Sequence, residues 1–152
     1  MENTSILNLN RSKIPLWINI MQGILILIML NQVFNHFFNL HMLAYSGIQT
    51  QGKPALNLIY KMGSRTLVMV LISTYVMISQ DPKQYTLVLI MNIIKEVFET
   101  IIDPFFPLLN AYTSPIVDFG IHILIITFEV LAFIIVLKLI KQDSKNISRY
   151  NK

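Results

Sequence analysis

Four runs of apolar residues, each long enough to cross a bilayer, leave this chain little choice of fold. A helix rises about 1.5 Å per residue, so a hydrocarbon layer of roughly 30 Å calls for about 20 mostly apolar residues. Within lipid, every backbone N–H and C=O must also be bonded inside its own segment, which selects helices or closed barrels. The runs fall at about Pro15 to Leu40, Leu56 to Ser79, Tyr85 to Leu109 and Ile116 to Ile140. They predict an all-α integral membrane four-helix bundle, with residues 1–152 forming a single transmembrane domain. The hydrophobic share of 54% against a charged share of 13% fits this reading, because a soluble fold of 152 residues could not bury so much apolar surface.

The first run begins late, is long and lacks a small-residue cleavage site, so it is expected to stay in the mature protein rather than act as a secretion signal. The absence of cysteine removes disulfides, thiol nucleophiles and iron–sulfur ligation. The net charge of +4 gathers in tails and one turn: Arg11 and Lys13 precede the first helix, Lys83 lies between the second and third, and Lys138, Lys141, Lys145, Arg149 and Lys152 crowd the end of the fourth. By the positive-inside rule both termini are expected in the cytoplasm, although Lys53 and Lys61 soften the asymmetry. A basic tail without interleaved aromatics beyond Tyr150 gives no footing for nucleic acid.

Trp17 suits a headgroup-level anchor, and Met1 to Asn10 a short interfacial or disordered lead. Gly47, Gly52 and Pro54 break the chain between the first two helices, while Asp81-Pro82 makes a tight turn that sets the second and third side by side and antiparallel. Pro104 and Pro107 are expected to kink or end the third helix, leaving Phe105 and Phe106 to dip into lipid.

Ionisable residues inside a span cost about 2.5 to 3.5 kcal/mol each on insertion scales, so they point to function or to mutual pairing. Asn92, Glu96, Glu99 and Asp103 are spaced by four, three and four, which stacks them on one face of the third helix. Asp118, His122 and Glu129 repeat the pattern on the fourth. The second helix adds Arg65 with Ser64, and the first adds Asn31, Gln32, Asn35, His36 and Asn39. Rise per residue puts Arg65 about 14 Å into its helix, level with Glu99, so an ion pair of Arg65 with Glu99 or Asp103 is expected. Lys95 is placed to snorkel or to pair with Glu99, four residues on.

Connectivity sets this cluster toward the external half, which predicts an outward polar pocket closed beneath by Met69, Leu71 and Leu131. Ion pairs that only orient the helices are the plainer explanation for Arg65, and a hydrogen-bonded core histidine is the plainer one for His122. Rows such as Phe34, Phe37, Phe38 and Met62, Met69, Met77 read as packing or lipid contact. His36, His41 and His122 lack metal-ligand spacing within one helix, so no metal is expected.

The stretch Asn57-Leu-Ile-Tyr-Lys-Met-Gly63-Ser64-Arg65-Thr-Leu67, followed by Asp81-Pro82 and Asn92 through Asp103, resembles the DoxX-like group of small four-helix bacterial membrane proteins over about two-thirds of the chain. The resemblance implies a four-helix bundle in the bacterial cytoplasmic membrane, with some relatives tied to quinone-linked oxidation or membrane redox assemblies. It makes Arg65, Glu99 and Asp103 the signature residues. Lys95 in place of an expected arginine and the asparagine-rich first helix depart from that pattern.

From these residues the leading expectation is a protein that binds a lipophilic molecule, a quinone or lipid, in the outward pocket as an accessory to a membrane redox assembly. Arg65, Asn92, Glu96, Glu99, Asp103, Asp118 and His122 would be the ligand-binding residues. The alternative is an acid/base enzyme acting on a lipid or terpenoid, an isomerase or cyclase, with Glu99, Asp103 and His122 as candidate catalytic residues. A third reading is a proton or ion pathway through Glu129. Membrane lipids are expected partners; a protein partner or a second copy is compatible with the sequence, and no cofactor is named by it.

Overall fold

The computed structural model describes residues 13–106, 108–110 and 114–150, all helix, turn or irregular chain with no strand among them. The chain order is α1 (Leu16–Phe38), a short α2 (Leu40–Tyr45), α3 (Lys53–Ser79), α4 (Pro82–Phe105) and α5 (Pro115–Tyr150). Arg11, Lys152, Pro107 and the N-terminal lead lie outside the described residues.

Local chemistry sets the helix ends. Asn39 leaves helical geometry between α1 and α2. Gly52, at φ 89, caps α3 in a conformation that a Cβ would strain, and Pro54 occupies the first turn, where its missing N–H costs nothing. Gln80 closes α3 in the left-handed region, and the Asp81 carboxylate accepts from the Lys83 N–H at 2.9 Å, with Pro82 opening α4. Two helices differ in length from the sequence reading. Helix α4 carries Pro104 in its last turn and stops at Phe105, short of Leu109. Helix α5 runs 36 residues, ten beyond Ile140, because the charged stretch after the apolar run continues the helix without a breaker.

Helices α1, α3 and α5 as far as Lys145 are long and apolar enough to cross a membrane. Helix α4 has 24 residues, but Lys95, Glu96, Glu99 and Asp103 hold it short of that apolar standard. Exposed apolar side chains, among them Ile24, Leu27, Leu71, Tyr75, Leu124 and Phe128, cover the outer faces of α1, α3 and α5, as contact with lipid requires.

The helices pack as two antiparallel pairs, α1 on α3 and α4 on α5, so α3 and α4, expected side by side across the Asp81-Pro82 turn, touch only weakly because each seats against another helix. At one end all four meet in a single core of Ile14, Ile18, Val76, Tyr85, Val88, Leu89, Ala132 and Val136. Polar bonds lock that end: Asn19 and Gln80 exchange bonds at 2.9 and 3.2 Å, and the Tyr85 hydroxyl donates to Asn19 Oδ1 at 2.7 Å. Toward the other end α1 and α3 keep their own core of Ile26, Met29, Val33 and Val70, with Met69, Met77 and Phe37 against it. Phe37 also stacks on Tyr60, with ring centroids 5.8 Å apart. There the connecting loops touch, since Asn110 donates to the Tyr45 carbonyl at 2.8 Å and Leu109 lies on Gly47.

Candidate functional site

Helical spacing on α4 and α5 does bring their acidic rows together, and His122 is where they meet. Its Nδ1 lies 2.7 Å from Glu96 Oε2, while its Nε2 faces Asp103 at 3.4 Å and Asp118 at 3.7 Å. The last two separations are ion-pair contacts rather than good hydrogen bonds, so the Glu96 carboxylate is what fixes the ring. Lys95 supplies the cation, at 2.9 Å from Glu96 and 2.8 Å from Glu99. Glu96 thus accepts from a lysine on its own helix and from an imidazole on the next.

The cluster grades from dry to wet along α4. Asn92, Glu96 and Thr100 are buried, whereas the Asp103 and Asp118 side chains are 42% and 36% exposed. His122, at 15%, stands between the two zones. With four carboxylates around one lysine and one histidine, the rim has a formal excess of negative charge.

Arg65 takes no part. It lies exposed on α3 and makes no ion pair among the described residues, so the expected pair with Glu99 or Asp103 does not form and Lys95 holds that place. The physical reason is packing: α3 seats against α1, and Gly63 meets His36 and Phe37 there, which turns Arg65 two residues later away from that contact. The polar residues of α1 near this end bond locally instead. His36 Nδ1 contacts the Gln32 carbonyl at 2.6 Å, and Asn39 donates to Asn35 at 3.5 Å. The expected floor is also different, because Leu71 and Leu131 are exposed and the four-helix core around Leu89 and Val136 closes the interior.

One turn above that core lies a second polar layer with a residue from each long helix. Gln22 follows Ile18 by four positions, Ser73 precedes Val76 by three, Asn92 follows Leu89 by three and Glu129 precedes Ala132 by three. All four are buried. Asn92 donates to Gln22 at 3.4 Å, while Gln22 Nε2, Ser73 Oγ and both Glu129 oxygens are without hydrogen-bond partners among the described residues. The sequence singled out Glu129; Gln22, an isolated polar residue in an apolar run, was its overlooked counterpart.

Reading histidines along single helices also hid the donor sets that form across helices. Glu96, Glu99 and His122, and separately Asp103, Asp118 and His122, each bring three ligand atoms within 4.8 Å of one another. The sets share His122, and Lys95 already balances the first. Comparison with known families, curated proteins and solved structures finds no match to this chain.

Proposed function

We propose that α4 also spans the membrane, as the third of four spans in a bundle with both termini cytoplasmic, and that the bundle binds the polar head of a lipophilic molecule at His122. The observation that carries this reading is the convergence of three carboxylates on one largely buried imidazole, in a protein whose outer faces are apolar. Such a rim offers acceptors and negative charge. The head that suits it donates hydrogen bonds or carries a cation: a quinol hydroxyl or a lipid amine fits, and an anionic headgroup does not.

Glu96 holds the ring, Asp103 and Asp118 meet the head, and Asn92 closes the inner end. The resemblance to DoxX-like proteins of the bacterial cytoplasmic membrane belongs to the same proposal. Of its signature positions, Glu99 and Asp103 sit at this rim and Arg65 outside it. An accessory place in a redox assembly follows if the occupant is a quinol.

The test is lipid extraction and mass spectrometry on purified wild type beside Glu96→Gln and His122→Leu. A defined lipophilic compound retained by the wild type and lost from both folded variants supports the site and identifies its occupant. Equal retention by all three ends this reading. The 2.7 Å His122–Glu96 contact also favours an acid/base enzyme, with Glu99 or Asp103 as the acid. That second reading fails if Glu99→Gln and Asp103→Asn leave turnover of an identified substrate unchanged.

A further inference from the structure

Apart from Asn92, the deep polar layer is not needed to hold a headgroup at the rim. Glu129 is fully buried in the middle of the bundle with no hydrogen bond to either oxygen among the described residues, a costly arrangement for a carboxylate that has no task there. We propose that Glu129 is an internal proton-binding site, loaded from the rim through His122 and Glu96.

The geometry supplies the steps in order. A proton arriving from solvent protonates Asp103 or Asp118, both partly exposed. It passes to His122 Nε2 once the 3.4 to 3.7 Å separation closes to hydrogen-bond length. The imidazole then releases its Nδ1 proton to Glu96 Oε2 at 2.7 Å, so the ring gains one proton and gives up another. Unloading runs the same steps in reverse and returns the ring to its Nδ1–H form. Glu96 is one helical turn above Asn92, which lies beside Glu129. Gln22 Nε2 and Ser73 Oγ, buried in the same layer without partners among the described residues, are the remaining polar groups beside this last gap to a Glu129 oxygen.

Beyond Glu129 the route stops. The next layer is the apolar core of Ile18, Val76, Leu89, Ala132 and Val136. The site is therefore a dead-end store reached from one side rather than a channel. The groups facing Glu129 fit this use. Helix α4 presents Glu96, Lys95 and Asn92. Helices α1 and α3 present Gln22 and Ser73, which do not titrate. On α5 itself the next titratable group toward the rim is His122, seven residues away. One layer below, Tyr85 is engaged by Asn19.

The test is infrared difference spectroscopy of the full chain in detergent after a rapid pH jump. Wild type is expected to show the carbonyl band of a protonated carboxylic acid that appears and disappears with pH, absent from Glu129→Gln and shifted in Glu129→Asp. The aspartate variant separates a titrating group from a fold lost by the glutamine. In His122→Asn the same band is expected to respond at least about tenfold more slowly. A carbonyl band that does not follow pH, or that persists unchanged in Glu129→Gln and Glu129→Asp, overturns the site. An unchanged rate in His122→Asn overturns the route.

Discussion

Replacing Glu96 with alanine removes the one carboxylate shared by Lys95 and His122. Lys95 keeps Glu99 at 2.8 Å, so its charge stays paired, and the group left stranded is the His122 Nδ1 donor. A buried donor without its partner costs about 1 to 3 kcal/mol, less than the 3 to 5 or so lost when a buried ion pair is broken outright. A loss of about 2 kcal/mol is therefore expected. Since the imidazole contact is the source, Glu96→Ala and His122→Ala together should fall short of their sum by about 1 to 2 kcal/mol. Arg65→Ala, which touches nothing in the cluster, should add to Glu96→Ala within about 0.5 kcal/mol. Unfolding by SDS titration in mixed micelles, followed by helical circular dichroism, measures all of these. Additivity of Glu96 with His122, or strong coupling of Glu96 with Arg65, refutes the assignment of partners.

Four further outcomes rest on local packing and hydrogen bonding. Gly63→Ala places a Cβ 2.8 Å from His36 Cβ and 2.9 Å from Phe37, so α1 and α3 must separate at a cost of about 1 to 3 kcal/mol. Gly23→Ala meets nothing within 4 Å and should gain up to about 1 kcal/mol by helix propensity; SDS unfolding of the two variants should move in opposite directions. Tyr85→Phe deletes the donor to Asn19 and should cost about 1 kcal/mol in the same assay, because Asn19 Oδ1 still accepts from Gln80. Gly47→Ala, strained at φ +85 and pressed on Leu109, should loosen the loop contact and raise proteolysis near residues 47–52 while leaving the Glu96–His122 coupling intact.

The long helices were legible because apolar length and period are local properties: Pro15 to Leu40 reads as α1 almost to the residue, and Asp81-Pro82 as the turn. Lys95 with Glu99 was legible for the same reason, since i to i+4 neighbours meet on any helix. Arg65 was misjudged because depth along a helix follows from sequence, whereas its rotation depends on which neighbour it packs against. Gly63 against His36 and Phe37 settles that rotation, and no spacing rule reports it. Likewise the Glu96–His122 contact joins rows that were each visible, but choosing Glu96 over Glu99 as the histidine's partner depends on the register of α4 on α5. Gln22 and Ser73 gain meaning only as members of a layer whose other half lies on α4 and α5.

Whether α4 crosses the bilayer decides whether the His122 cluster is an intramembrane site at all. The chain has no cysteine, so single-cysteine variants report cleanly. Lys83→Cys and Leu108→Cys flank α4, and a membrane-impermeant maleimide applied to intact cells and to inverted vesicles reads the side of each. Labelling from opposite sides, Lys83→Cys from the cytoplasm and Leu108→Cys from outside, is the expected result. Labelling of both from one side would mean that α4 does not span, and would contradict both the membrane-embedded binding site and the four-helix bundle proposed around it.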